Sequence, residues 1–253
     1  MEMFNQAIDM NDVTISEEDG IRYLHFGTQW IQGAMRIMRP HDLVLTYTQQ
    51  MMAWLLFQEV SKDDEIAILG LGAGSLLRFC MKHTQSDLHT VEINPRVTAM
   101  CQAFFRLPQN QRSVIYHEDA ESWVQDPTHF DRYRVLMVDL YDAAAQGPVC
   151  SSLAFYQGCY RCLDEQGLMT VNLFGAHESY DVNINHISQA FHGNILILPE
   201  IDEGNIVVLA FKGDDLSRTT TAMLMDQAEY IQKKYKLPAR RWAKGILAEQ
   251  PKT

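Results

Sequence analysis

Residues 12–40 carry two short apolar runs separated by the polar "SEEDG" in "VTISEEDGIRYLHFGTQWIQGAM". Two short strand-like runs separated by such a segment predict a β-hairpin. "RPHD" at 39–42 ends the strands and offers Asp42 as N-cap of a long helix from about Leu43 to Val60, with Met51, Met52, Leu55 and Leu56 at helical spacing. From Glu65 onward the period alternates between strand and helix. Apolar runs at 66–71, 89–93, 113–117, 134–140 and 168–174 predict strands, and helical patterns fill 75–84, 95–106, 119–126, 151–163 and 178–192. Apolar strands separated by helices imply a parallel sheet covered on both faces. The ending differs: "NILILP" (194–199) and "IVVLAF" (206–211) are joined by a short turn, which predicts an antiparallel pair, and a last helix follows at about 217–235. The fold class is therefore α/β, a mostly parallel sheet with an antiparallel last strand. The domain division places a small N-terminal β-hairpin domain at 1–41 and a Rossmann-like nucleoside-binding domain at 42–253, led by a helix over 42–62.

Composition narrows the partners. A hydrophobic share of 47% supports a full core, and no apolar run of transmembrane length occurs, so no membrane span is predicted. The start "MEMFNQAIDMNDV" lacks the basic and apolar regions of a signal peptide. The formal net charge of −11 disfavours nucleic acid, whose binding needs clustered Lys and Arg. The one basic cluster, from Lys233 to Lys244, reads as a solvated helix end and tail. Five unevenly spaced cysteines predict reduced thiols and a cytoplasmic protein. Cys159 and Cys162 have metal-like spacing but no second pair, so they read as packing thiols, and no metal is predicted. No G-x-S-x-G elbow is present to supply a hydrolase nucleophile. Met35, Met38, Met51 and Met52 read as core or subunit contact.

Ligands of open α/β sheets sit beyond the carboxyl ends of the strands. The first strand delivers Gly70, Gly72 and Gly74 in "GLGAG", where glycine permits close backbone approach to a cofactor at a helix N-terminus. The spacing is G-x-G-x-G; a dinucleotide fingerprint would need glycine at Ser75. The second strand ends in Glu92, either a solvent-facing glutamate or an acceptor for both hydroxyls of a ribose. The third delivers Asp119 and Ala120, suited to an adenine amine and ring nitrogen, with Asp119 also a candidate helix N-cap. The fourth ends in "VDLYD", placing Asp139 and Asp142 at the mouth of a very apolar strand, where a carboxylate needs a partner or a task. Two carboxylates beside a nucleoside could hold and deprotonate an ammonium group.

These residues resemble the spermidine synthase (polyamine aminopropyltransferase) family, over about Gln32 to Phe211. The resemblance lies in "ILGLGAGSLLRF", "VEINP", "EDAESWV", "VDLYD" and "FYQGCYRCLDEQGLMTVN". It implies the class I methyltransferase fold behind a small β-domain, a homodimer, and a part in polyamine biosynthesis. It also implies transfer of the aminopropyl group of decarboxylated S-adenosylmethionine to an amine such as putrescine. By the same resemblance Glu92 takes the ribose and Asp119 with Ala120 the adenine. Asp139 is the base, Asp142 lies at the amine end, and Gln32 and Gln49 match two cofactor-side glutamines; Tyr47 is a further candidate to position the amine beside Asp142. The family's glycine turn carries an aspartate for the aminopropyl ammonium where this chain has Ala73. Losing such a charge-assisted bond costs about 1.5–3 kcal/mol. The tyrosine of the family's Y-Q-E-M is Thr48 here, with Tyr47 one place earlier, and the family's late tyrosine segment is replaced by "EIDEGNIVV". Methyl transfer from intact S-adenosylmethionine is therefore the alternative activity, since Ala73 would not repel its carboxylate. Non-catalytic nucleoside binding is the third, disfavoured by the presence of both Asp139 and Asp142.

Overall fold

The structure, a computed structural model, describes residues 13–141, 149–200 and 204–249. At the N-terminus β1 (Val13–Glu18) and β2 (Ile21–Phe26) pair antiparallel around Asp19 and Gly20, both at positive φ (49° and 74°). Two left-handed residues match the twist of the flanking strands, so Asp-Gly makes the tight turn. The hairpin is only part of this sheet. A third strand, β3 (Gly33–Arg36), pairs antiparallel with β2, setting Leu24 opposite Gly33. Leu24 and Met35 are fully buried and join the main core, which fastens the small sheet to the larger one.

The long helix predicted from Leu43 to Val60 is not formed. α1 spans only Thr46–Gln50 and tightens into a 3-10 turn over Met51–Leu56. Asp42 does not cap it, but pairs with Arg39 at 3.1 Å. In "MMAWLL" six consecutive residues are buried, so the segment has no polar face and is enclosed on every side, and an i→i+3 bond from the Phe57 N–H to the Trp54 carbonyl (3.0 Å) closes it.

The main sheet contains β4 (Glu65–Leu69), β5 (Asp87–Val91), β6 (Ser113–Tyr116), β7 (Tyr133–Val138), β8 (Leu163–Phe174), β9 (Ile195–Ile197) and β10 (Asn205–Phe211). Their spatial order is β6-β5-β4-β7-β8-β10-β9. Pairing is parallel from β6 through β8, and β10 runs antiparallel to both its neighbours. The direction of winding reverses between β4 and β7, the switch point at which such sheets form a crevice.

Strand alternation divides the core. Ile66 and Ile68 face one layer, and Ala67 and Leu69 face the other. The first layer holds α2 (Ser75–His83), α3 (Pro95–Phe104) and α8 (Thr221–Tyr235). The second holds α4 (Ala120–Trp123), α5 (Leu153–Cys162) and α6 (Tyr180–Ala190). Cys159 and Cys162 are buried free thiols within α5, as are the other three cysteines elsewhere. Met35, Met51 and Met52 are core residues, whereas Met38 is 86% exposed.

The C-terminal region departs from the sequence reading. The helix predicted over 217–235 is broken into α7 (Asp215–Arg218) and α8, where Thr220 accepts from the Met223 N–H as N-cap. The basic tail is a further helix, α9 (Ala239–Glu249), whose Ala239, Trp242, Ala243 and Ile246 are buried. Those positions recur at three and four residues, so Arg240, Arg241 and Lys244 project from the opposite, exposed face.

Candidate active site

The glycine turn between β4 and α2 is shaped by backbone approach. Gly70 lies at φ +93°, and a Cβ there would meet the Asp139 carbonyl oxygen at 2.2 Å. Gly72 (φ +49°) faces the Gln32 carbonyl, and Gly74 (φ +72°) faces Leu107. All three conformations are left-handed, which side chains disfavour. Below the turn, the buried Arg78 guanidinium donates to the carbonyls of Ala73, Phe105 (3.0 Å) and Pro40 (2.7 Å). Burial lowers its pKa to about 10. Arg78 thus ties the turn to α3 and to the end of the small sheet.

Ala73 is 2% exposed and faces the small sheet: a Cβ on Gly33 would lie 2.5 Å from the Cβ of Ala73. Its methyl is part of the seam between β3 and the turn. Glycine at 33 and alanine at 73 together permit the close approach.

Glu92 follows β5 and is nearly buried. Its Oε2 accepts from the Leu71 N–H (3.2 Å) and its Oε1 from the Asn94 N–H (2.8 Å). Burial raises its pKa, and those two backbone donors oppose the rise. Each oxygen has a second lone pair for an incoming hydroxyl. Asp119 caps α4: its Oδ2 accepts from the Ser122 N–H and hydroxyl, both at 3.0 Å, and Ala120 opens the helix.

Asp139 leaves β7 next to the glycine turn, with its own N–H donating to the Leu69 carbonyl at 2.9 Å. The Tyr47 hydroxyl on α1 donates to its Oδ2 (3.3 Å), and Asn172 Nδ2 on β8 donates to its Oδ1 (3.1 Å). Burial nevertheless pushes the carboxyl up to about 6, with these two donors holding it down. Of the remaining sequence candidates, Gln49 donates its side-chain amide to the Leu43 carbonyl at 2.9 Å. Gln32 ends the loop before β3, its N–H on the Leu24 carbonyl. Asp142 lies outside the described residues.

Sequence reasoning missed Asn172, Asn205 and Tyr141. Asn205 Nδ2 donates to Asn172 Oδ1 (3.1 Å), and the Tyr141 hydroxyl donates to the Asn172 carbonyl (3.1 Å). One signal was available: Asn172 is a lone amide in the apolar run "LMTVNLF". Among the described residues no group of three or more His, Cys, Asp or Glu is placed to hold a metal, and no helix is long and apolar enough to cross a membrane.

The chain is similar to known proteins over most of its length. The polyamine aminopropyltransferase of Neisseria meningitidis is 30% identical over 242 residues, spanning 95% of this chain and 90% of that protein. A probable spermidine synthase from Corynebacterium glutamicum superposes with a TM-score of 0.71 at 18% identity, covering 92% of this chain and 91% of its own. A spermidine synthase in complex with the transition state analogue AdoDATO gives 0.66 at 17% identity, covering 94% and 86%. Those two structures establish a shared fold. The spermine/spermidine synthase domain matches residues 44–191, more than half of the sequence and all of β4 to α6, so the chain belongs to the spermine/spermidine synthase family.

Proposed function

We propose that this chain is a transferase that moves the aminopropyl group of decarboxylated S-adenosylmethionine to a small amine such as putrescine. The observation that carries the reading is Asp139: a carboxylate at the switch point, beside the glycine turn, with its pKa raised to about 6. A base with that pKa is ionised at neutral pH yet accepts a proton readily. Family membership and the name of the Neisseria relative support the same chemistry.

In this mechanism Asp139 takes a proton from the acceptor ammonium. The freed amine attacks the methylene carbon next to the sulfonium, forming a C–N bond as the C–S bond breaks. The electron pair of that bond stays on sulfur, and methylthioadenosine leaves as a neutral thioether. Alignment of the two reactants supplies much of the rate. Glu92 binds the ribose, and Asp119 with Ala120 the adenine. Gly70, Gly72, Gly74, Gln32 and Gln49 shape the nucleoside side, and Tyr47 with Asp142 orients the amine. The domain boundary is proposed at 41/42. A homodimer is proposed from the exposed Trp30, Ile31 and Met38 on or beside the small sheet, and a cytoplasmic setting from five free buried thiols.

The test is calorimetric titration with decarboxylated and with intact S-adenosylmethionine, followed by mass analysis with putrescine. Preferential binding of the decarboxylated compound and release of methylthioadenosine are expected. Tighter binding of the intact compound without methylthioadenosine would sink the proposal.

A further inference from the structure

Asn205 is the first residue of β10 and lies diagonally across from Asn172, because the register sets Asn172 opposite Val207. Residues two apart on a strand share a face, so the two amides meet. Only because β10 is antiparallel does its first residue reach the carboxyl ends of β7 and β8. Asn205 Nδ2 donates to Asn172 Oδ1 at 3.1 Å, while Asn172 Nδ2 donates to Asp139 Oδ1 at 3.1 Å. The Asn205 side chain also hydrogen-bonds Tyr141, whose hydroxyl in turn reaches the Asn172 carbonyl.

An asparagine amide has one donating and one accepting end. Asn172 is 1% exposed, so its amide is shut off from bulk solvent. With its oxygen occupied by Asn205, its N–H faces the carboxylate; turned over, it would set a carbonyl lone pair against a half-buried anion. We propose that Asn205 is a positioning residue of the transfer site, fixing through Asn172 which end of a buried amide meets Asp139. The inference rests on the reading of Asp139 as the base. Among the described residues the groups that face Asp139 are the Tyr47 hydroxyl on α1, the Asn172 amide on β8 and, within electrostatic reach, the Tyr141 phenol beyond β7. Among the described residues no cation pairs with it.

Asn205→Leu removes the donor with a side chain branched at the same carbon and adds no charge, and Asn205→Gln keeps a donor. The first readout is the pH profile of kcat/KM for methylthioadenosine release. Its acid limb is expected to rise by about half to one pH unit in Asn205→Leu, roughly a three- to tenfold loss below the limb that recovers at high pH. Asn205→Gln should return the limb toward its original position. In an Asn172→Ala background, Asn205→Leu should move nothing further. The second readout needs no turnover: 13C NMR titration of the Asp139 carboxyl in the ligand-free protein, assigned with Asp139→Asn, should show the same displacement. A folded Asn205→Leu protein with an unmoved titration overturns the inference, as does a displacement that persists without Asn172. A displaced titration in a protein that never forms methylthioadenosine leaves the amide relay standing and removes the aminopropyl reading.

Discussion

Asp139→Asn should stabilise the protein at neutral pH while abolishing turnover, and the size of the gain follows from the site. An ordinary aspartate ionises near 3.8, whereas in the folded chain burial holds Asp139 at about 6. Between those two values the folded state binds more protons than the unfolded state, so this group's contribution to stability falls as pH rises through the window. Two units correspond to about 3 kcal/mol of destabilisation, fully present above pH 7 and relieved below pH 4. Asparagine removes the half-buried charge. Its amide cannot satisfy Tyr47 and Asn172 quite as the carboxylate does, which costs about 1 kcal/mol at every pH. Urea unfolding of both proteins at pH 4.5 and pH 8 separates the two effects, because the packing cost cancels in the double difference. The variant should gain about 2 kcal/mol relative to wild type on going from the lower to the higher pH, because part of the penalty is already present at pH 4.5. In the same variant, methylthioadenosine release should fall by about a hundredfold or more, as expected on loss of a general base. A double difference near zero would show that Asp139 is not held at a raised pKa and would remove the electrostatic argument for its role as base.

Further expectations concern the rest of the site and the C-terminal helix. Glu92→Gln should weaken methylthioadenosine binding by about tenfold in calorimetry and leave adenine binding little changed, since the lost acceptor serves the ribose. An equal loss for adenine would place Glu92 elsewhere in the site. Gly70→Ala drives a Cβ to 2.2 Å from the Asp139 carbonyl at a left-handed φ, so stability should drop by more than about 2 kcal/mol in chemical denaturation, with activity lost. Trp242→Ala opens a cavity under α9, since that indole is 1% exposed, and should cost about 3–5 kcal/mol. A cost under about 1 kcal/mol would mean that α9 is not part of the cooperative core.

The sequence by itself determined the α/β sheet, its antiparallel closing pair and the strand ends at which Glu92, Asp119 and Asp139 stand. Apolar periodicity and glycine spacing are local properties, and they are legible one segment at a time. Tertiary structure decided the rest. "MMAWLL" reads as part of a long helix in isolation, but in the fold it is a short 3-10 turn buried at all six positions. The basic tail became α9 because Trp242 and Ile246 found a core that no local pattern of charge reveals. Ala73 reads in the sequence as a missing acid at the cofactor. In the fold its methyl is buried in the seam with Gly33, a contact between residues forty positions apart. The environment of Asp139 depends equally on distant segments, since Tyr47, Asn172 and Asn205 come from α1, β8 and β10. A residue type and its place on a strand can be read from the chain. Its pKa and the orientation of the amide beside it follow only from what the fold packs around it.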